Sequence, residues 1–189
     1  KRICFKAEPE FLRQLRRYAE QVDKNRFRNE DLWVARRLVP GFLMAEVFAK
    51  HKRLPISQRV AQTTHEITRK VALEYNYELT PDEVRELREA IRDRVNEQTL
   101  RQAYRAFYDW LEKPEMFRPA GNRLEYADVF PLIFLKMQLE GVRSPYREVQ
   151  HLLIDEMQDY TPVQYAILAR LFDCRMTILG DAWQSVNPY

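Results

Sequence analysis

His151-Leu-Leu-Ile-Asp155-Glu156-Met-Gln158-Asp159 and, one strand–helix–strand unit later, Ile178-Leu-Gly180-Asp181-Ala-Trp-Gln184-Ser185 are the stretches that decide the fold. Val149 to Ile154 is a short apolar run that reads as a strand, and Met176 to Leu179 reads as the next one. Between them Thr161-Pro-Val-Gln164 opens a helix that runs through Leu171. Thr161 offers an N-cap hydroxyl, proline sits at the first helical position, and Gln164 stands where a capping box needs an amide. Strand, helix and strand within about 30 residues form the β-α-β unit of a parallel sheet. That topology places two adjacent acids, Asp155 and Glu156, at the carboxyl end of a strand expected to be buried, the edge where such sheets bind phosphates. Either stretch alone is an ordinary turn. Together, each behind an apolar strand, they point to a nucleotide site.

Upstream the chain is helical. Phe11, Leu12, Leu15, Ala19 and Val22 recur at helical spacing over Glu8–Val22. Asp31 to Val39 alternates weakly and is closed by Pro40-Gly41, which suits a short strand or hairpin. Phe42–Lys50 and Ser57–Leu73 read as helices on either side of Pro55. Thr80-Pro-Asp-Glu83 is a capping box, followed by Val84, Leu87, Ile91 and Val95 on one side of a helix. Leu100, Tyr104, Phe107, Tyr108 and Leu111 form a second stripe. Pro114, Pro119, Gly121 and Asn122 mark a connection, and Tyr126–Leu139 is a further helix stopped by Gly141. The expected organisation is a helical module over residues 1–122 and part of an α/β core over 123–189.

Composition agrees with this division. The 189 residues suffice for one or two domains, and 46% hydrophobic against 31% charged residues describes a globular chain. Only four glycines argue against a loop-rich or all-β fold. No apolar stretch approaches the roughly 20 residues that span a bilayer, and Lys1-Arg-Ile-Cys-Phe-Lys6 lacks the apolar core of a signal peptide. Cys4 and Cys174 fit no metal spacing and read as reduced thiols, which leads us to expect a cytoplasmic protein without membrane contact. The missing initiator Met leads us to expect an internal piece of a longer protein. Residues 1–60 carry 15 Lys/Arg against 7 Asp/Glu, whereas residues 121–189 carry 6 against 9. The basic third suits a polyanion such as nucleic acid, and equally the solvated face of amphipathic helices.

The two motifs resemble motifs II and III of the UvrD/Rep-like superfamily 1 helicases. Leu124-Glu-Tyr-Ala-Asp128-Val-Phe-Pro-Leu132 resembles the segment before motif II in these proteins, and Lys1–Lys6 with the following helix resembles the start of the insertion in HelD-type proteins. Those are UvrD-like ATPases, related to helicase IV, that act on bacterial RNA polymerase. The resemblance implies part of a RecA-like P-loop NTPase core with a mostly α-helical insertion. It also implies a site for ATP and Mg2+: Asp155 holds magnesium through its water shell, Glu156 is the base for the attacking water, and Gln184 senses the γ-phosphate. Asp181 lies near the same phosphates. Gln158 and Asp159 are placed to brace the acids or couple this edge to its neighbours. Tyr189 occupies the position of a base-stacking aromatic. Exposed aromatics beside arginines in residues 1–122 could stack on bases, but their helical spacing favours core packing for most of them.

Two departures qualify this. No G-x-x-x-x-G-K-[ST] phosphate cradle occurs anywhere, so these residues alone are expected not to hydrolyse ATP. DNA-translocating relatives continue motif III as Gln-Ser-Ile-Tyr-x-aromatic-Arg, whereas Gln184-Ser-Val-Asn-Pro-Tyr189 puts Asn187 in place of the first tyrosine and adds Pro188. This tilts the expectation to a HelD-like motor acting on RNA polymerase and nucleic acid. A DNA helicase of the UvrD or helicase IV type is the alternative within the class. A non-catalytic helical module that docks on RNA polymerase is the alternative outside it.

Overall fold

The computed structural model describes residues 2–52, 54–119, 121, 123–142 and 144–181. Eight α-helices and four short strands follow one another among them. In order they are α1 (Arg2–Ala7), α2 (Pro9–Lys24), β1 (Leu32–Val34), β2 (Arg37–Val39), α3 (Gly41–Lys50), α4 (Ile56–Tyr75), α5 (Pro81–Asp93), α6 (Leu100–Trp110), α7 (Tyr126–Glu140), β3 (His151–Ile154), α8 (Pro162–Leu171) and β4 (Arg175–Ile178). The result is a mixed helix and strand chain, with the parallel pair at its carboxyl end.

Local signals act where expected. Thr80 and Thr161 each accept a hydrogen bond from the third helical N–H while Glu83 and Gln164 reach back to the cap backbone. A third box, Thr99 with Gln102, opens α6. The ambiguous 31–39 stretch is an antiparallel hairpin pairing Leu32 with Val39 and Val34 with Arg37. It is turned by Ala35 and Arg36, both at positive φ. Gly41 starts α3 because a Cβ there would lie 2.6 Å from the Glu30 backbone, while its N–H donates to Asp31 Oδ1 at 2.7 Å.

Two compact units form. One comprises Lys1–Ala19, Thr99–Gln138 and Arg143–Tyr189; the other comprises Glu20–Gln98 and Leu139–Val142. The reason is packing by α6. Phe11 and Tyr18 of α2 each set a ring 5.5 Å from Phe107, and Tyr104 and Tyr108 are fully buried beside it. Lys6, also buried, donates to Asp128 Oδ1, which Tyr104 Oη approaches to 2.7 Å. Burial, together with the nearby Asp128 charge, raises the Tyr104 and Tyr108 hydroxyls above their ordinary range, keeping both as neutral donors. The first 19 residues therefore belong with α6 and α7.

The other unit closes around Met44, Phe48, Ile67, Val71, Leu87 and Ile91. Two of the basic residues in the first third are structural here. Arg59 is 1% exposed, donating to Phe48 O at 3.0 Å and to Asp23 Oδ1 at 2.6 Å, with its guanidinium 4.0 Å from the Phe48 ring centre. Arg26 is buried and donates to Leu139 O at 2.8 Å. Of Phe5, Tyr18, Phe27, Tyr75, Tyr77, Tyr104, Phe107 and Tyr108, the residues Tyr18, Tyr104, Phe107 and Tyr108 are buried as their spacing indicated, Phe5, Phe27 and Tyr77 are half-buried, and Tyr75 stays exposed.

Among the described residues no disulfide forms, and no helix is long and apolar enough to cross a membrane. Asp128→Ala would leave the Lys6 ammonium buried with Glu125, at 3.8 Å, as the remaining nearby acid among the described residues. We expect that variant to lose about 3–5 kcal/mol in urea unfolding, the usual cost of breaking a buried pair from one side.

Candidate functional site

β3 and β4 pair in parallel and in matched register, His151 with Arg175 through Ile154 with Ile178. Their carboxyl ends therefore coincide. Pairing continues past both strands: Leu179 N–H donates to Ile154 O at 2.8 Å, and Met157 N–H donates to Leu179 O at 2.9 Å. Asp155 and Glu156 lie between these two bonds and are both exposed at the edge. Gly180 and Asp181 leave β4 beside them.

The strands are less buried than expected. Ile154 turns inward, as do Val163 and Ile167 of α8, but Leu153 is 62% and Ile178 45% exposed. Among the described residues only β3 and β4 make up this sheet, and the face that carries Leu153 is left open. The acids sit where anticipated, on a strand with one face open.

Glu156 takes the left-handed conformation, φ 52° and ψ 53°. A non-glycine residue there costs about 1 kcal/mol or more, so its surroundings must hold it. Asp155 Oδ1 accepts the Glu156 N–H at 2.9 Å, and Glu156 O accepts the Asp159 N–H at 2.9 Å to begin the short 3-10 turn Met157–Asp159. Tyr165 of α8 braces that turn by donating its hydroxyl to Met157 O at 3.0 Å. This brace escaped sequence reasoning, since a tyrosine on the first turn of a helix carries no signal of where its hydroxyl ends.

Gly180 is required by both conformation and space. Its φ is 152°, and an added Cβ would lie 2.5 Å from the Met157 amide nitrogen. The turn after β3 and the exit of β4 thus touch backbone to backbone.

The structure brings Asp155, Glu156 and Gln158 to one edge with Gly180 packed against them, and Asp181 follows Gly180 in the chain. Gln184, Ser185 and Tyr189 lie outside the described residues. Among the described residues no group of three or more His, Cys, Asp or Glu side chains could hold a metal ion. The donor set suits magnesium nonetheless. An exposed carboxylate at a strand end is the kind of hard oxygen ligand the ion accepts when nucleotide phosphates and water complete its shell.

With this geometry in view, residues 11–189 match the UvrD/REP helicase N-terminal domain, and the chain belongs to that family. The family is one of ATP-dependent superfamily 1 helicases, which use ATP with Mg2+ and bind nucleic acid. None of the curated proteins matches the chain.

Gly180→Ala should cost about 1 kcal/mol or more, because alanine is strained at this φ and clashes with backbone. Hydrogen exchange should show the Met157 amide opening faster than in the parent; unchanged protection would mean the two segments are not in contact.

Proposed function

We propose that this chain contributes the second half of a RecA-like core, with its helical insertion, to a HelD-like superfamily 1 motor. In this reading the motor uses ATP binding and hydrolysis to act on bacterial RNA polymerase and its nucleic acid in the cytoplasm. The observation that carries it is the delivery of Asp155 and Glu156 to the carboxyl end of β3, level with the exit of β4. Residues 1–122, as the insertion, supply the partner surface.

Asp155 would hold magnesium, and Glu156 would accept the proton of the water that attacks the γ-phosphate. Magnesium, when bound, neutralises charge on the phosphate oxygens. Asp181 stands beside the same edge, Gln184 reads the γ-phosphate as a neutral amide, and Tyr189 stacks on a base. A phosphate cradle with its lysine is not among these 189 residues, so they do not turn over ATP by themselves and the whole protein is the object to assay.

Asn187 and Pro188 in motif III support the RNA polymerase branch. The family match favours a second reading, a DNA helicase of the UvrD or helicase IV type. Co-purification of the whole protein with bacterial RNA polymerase, with and without nucleotide, separates the two. Capture of polymerase is expected. No capture, together with DNA binding whose affinity falls steeply with salt, would favour the helicase.

Glu156→Gln in the whole protein should lower turnover by about a hundredfold or more while leaving ATP binding intact, the usual effect of removing a general base. Near-normal turnover would remove the assignment.

A further inference from the structure

Gln158 does something at this edge that neither its residue type nor its place in the turn requires. Its side-chain Nε2 donates to Glu156 Oε2 at 2.5 Å. Its other end, Oε1, is buried and has no hydrogen-bond partner among the described residues. That oxygen lies against the exit of β4, where a Cβ on Gly180 would come within 2.6 Å of it. The amide is thus wedged between the carboxylate of Glu156 and the backbone of the second motif.

An exposed glutamine would ordinarily turn both ends of its amide to water. Leaving the carbonyl buried without a donor costs about 1–3 kcal/mol, and a group kept that way calls for a reason beyond stability. Glu156 supplies one. It is exposed, carries three rotatable side-chain bonds and stands on a left-handed backbone, so without a tether its carboxylate would sample several directions. A general base must meet its water within about 3 Å, and misplacement by about 1 Å costs around a hundredfold in rate. The Gln158 amide restricts that search. Because its far end abuts Gly180, the direction it imposes depends on where the chain leaves β4.

We infer that Gln158 is a positioning residue for Glu156: its amide aims the carboxylate and ties that aim to the path of the chain through Gly180. This rests on the reading of Glu156 as the base. Glutamate in place of Gln158 keeps the size and loses the donor. Methionine keeps the length and loses both polar ends.

The test is steady-state ATP hydrolysis with magnesium by the whole protein. Gln158→Met and Gln158→Glu should each lower kcat by about tenfold or more with the KM for ATP within about threefold, since aim and not nucleotide affinity is lost. In a Glu156→Asp background, whose shorter carboxylate the amide cannot reach, Gln158→Met should cost less than about twofold, because residues acting through one another are not additive. Thermal unfolding checks that each variant is folded, and Gln158→Glu keeps the test open if the methionine variant is not. A normal kcat in a folded variant, a loss confined to KM, or the same loss in both backgrounds would overturn the inference. Normal turnover in Glu156→Gln would instead remove the base itself, which is a separate result.

Discussion

Parallel pairing of β3 with β4 is the constraint on which the rest of this edge depends. Four residue pairs in matched register bring both carboxyl ends level, and two further backbone bonds, Leu179 to Ile154 and Met157 to Leu179, carry the pairing around the turn. A shift of one residue would turn the inward-facing Ile154 outward and move the acids out of level with the end of β4, because side chains alternate along a strand. Those two bonds also bring the second motif so close that only glycine fits at position 180, while bonds to Asp155 Oδ1 and from the Asp159 amide hold the Glu156 backbone in a conformation it would not choose alone.

The helical part of the chain shows how one composition serves two ends. The basic excess of the first third looks like a polyanion surface, yet Arg26 and Arg59 are spent inside, on Leu139 O, Asp23 and the Phe48 ring. Arg37 is likewise engaged, lying 3.5 Å from the centre of the Tyr77 ring. Buried guanidinium groups satisfy backbone carbonyls and aromatic faces that a lysine ammonium would meet less well. The charge left at the surface is smaller than the residue count implies.

Much of the architecture was legible beforehand. Helix starts at Thr80 and Thr161, the weak alternation at 31–39 and the order strand, helix, strand after Val149 are all present as read. Caps and periodicity act over three or four residues, so they can be seen without knowing what lies across the core. The place of the two acids at a strand end was legible as well. The burial of that strand was not, because burial depends on what covers a face, and among the described residues Leu153 and Ile178 are left open.

By itself, then, the order of residues determined which segments become helices and strands, where they begin, and that Asp155 and Glu156 stand at the end of one of them. Tertiary structure alone decided that Lys6 pairs with Asp128, that the first 19 residues fold with α6 instead of with their neighbours, and that the Gln158 amide lies between Glu156 and Gly180. The physical reason is range. Propensity, capping and alternation are set by neighbours along the chain, whereas an ion pair across 122 positions or an amide wedged against a distant glycine exists only once the whole core has selected a single packing.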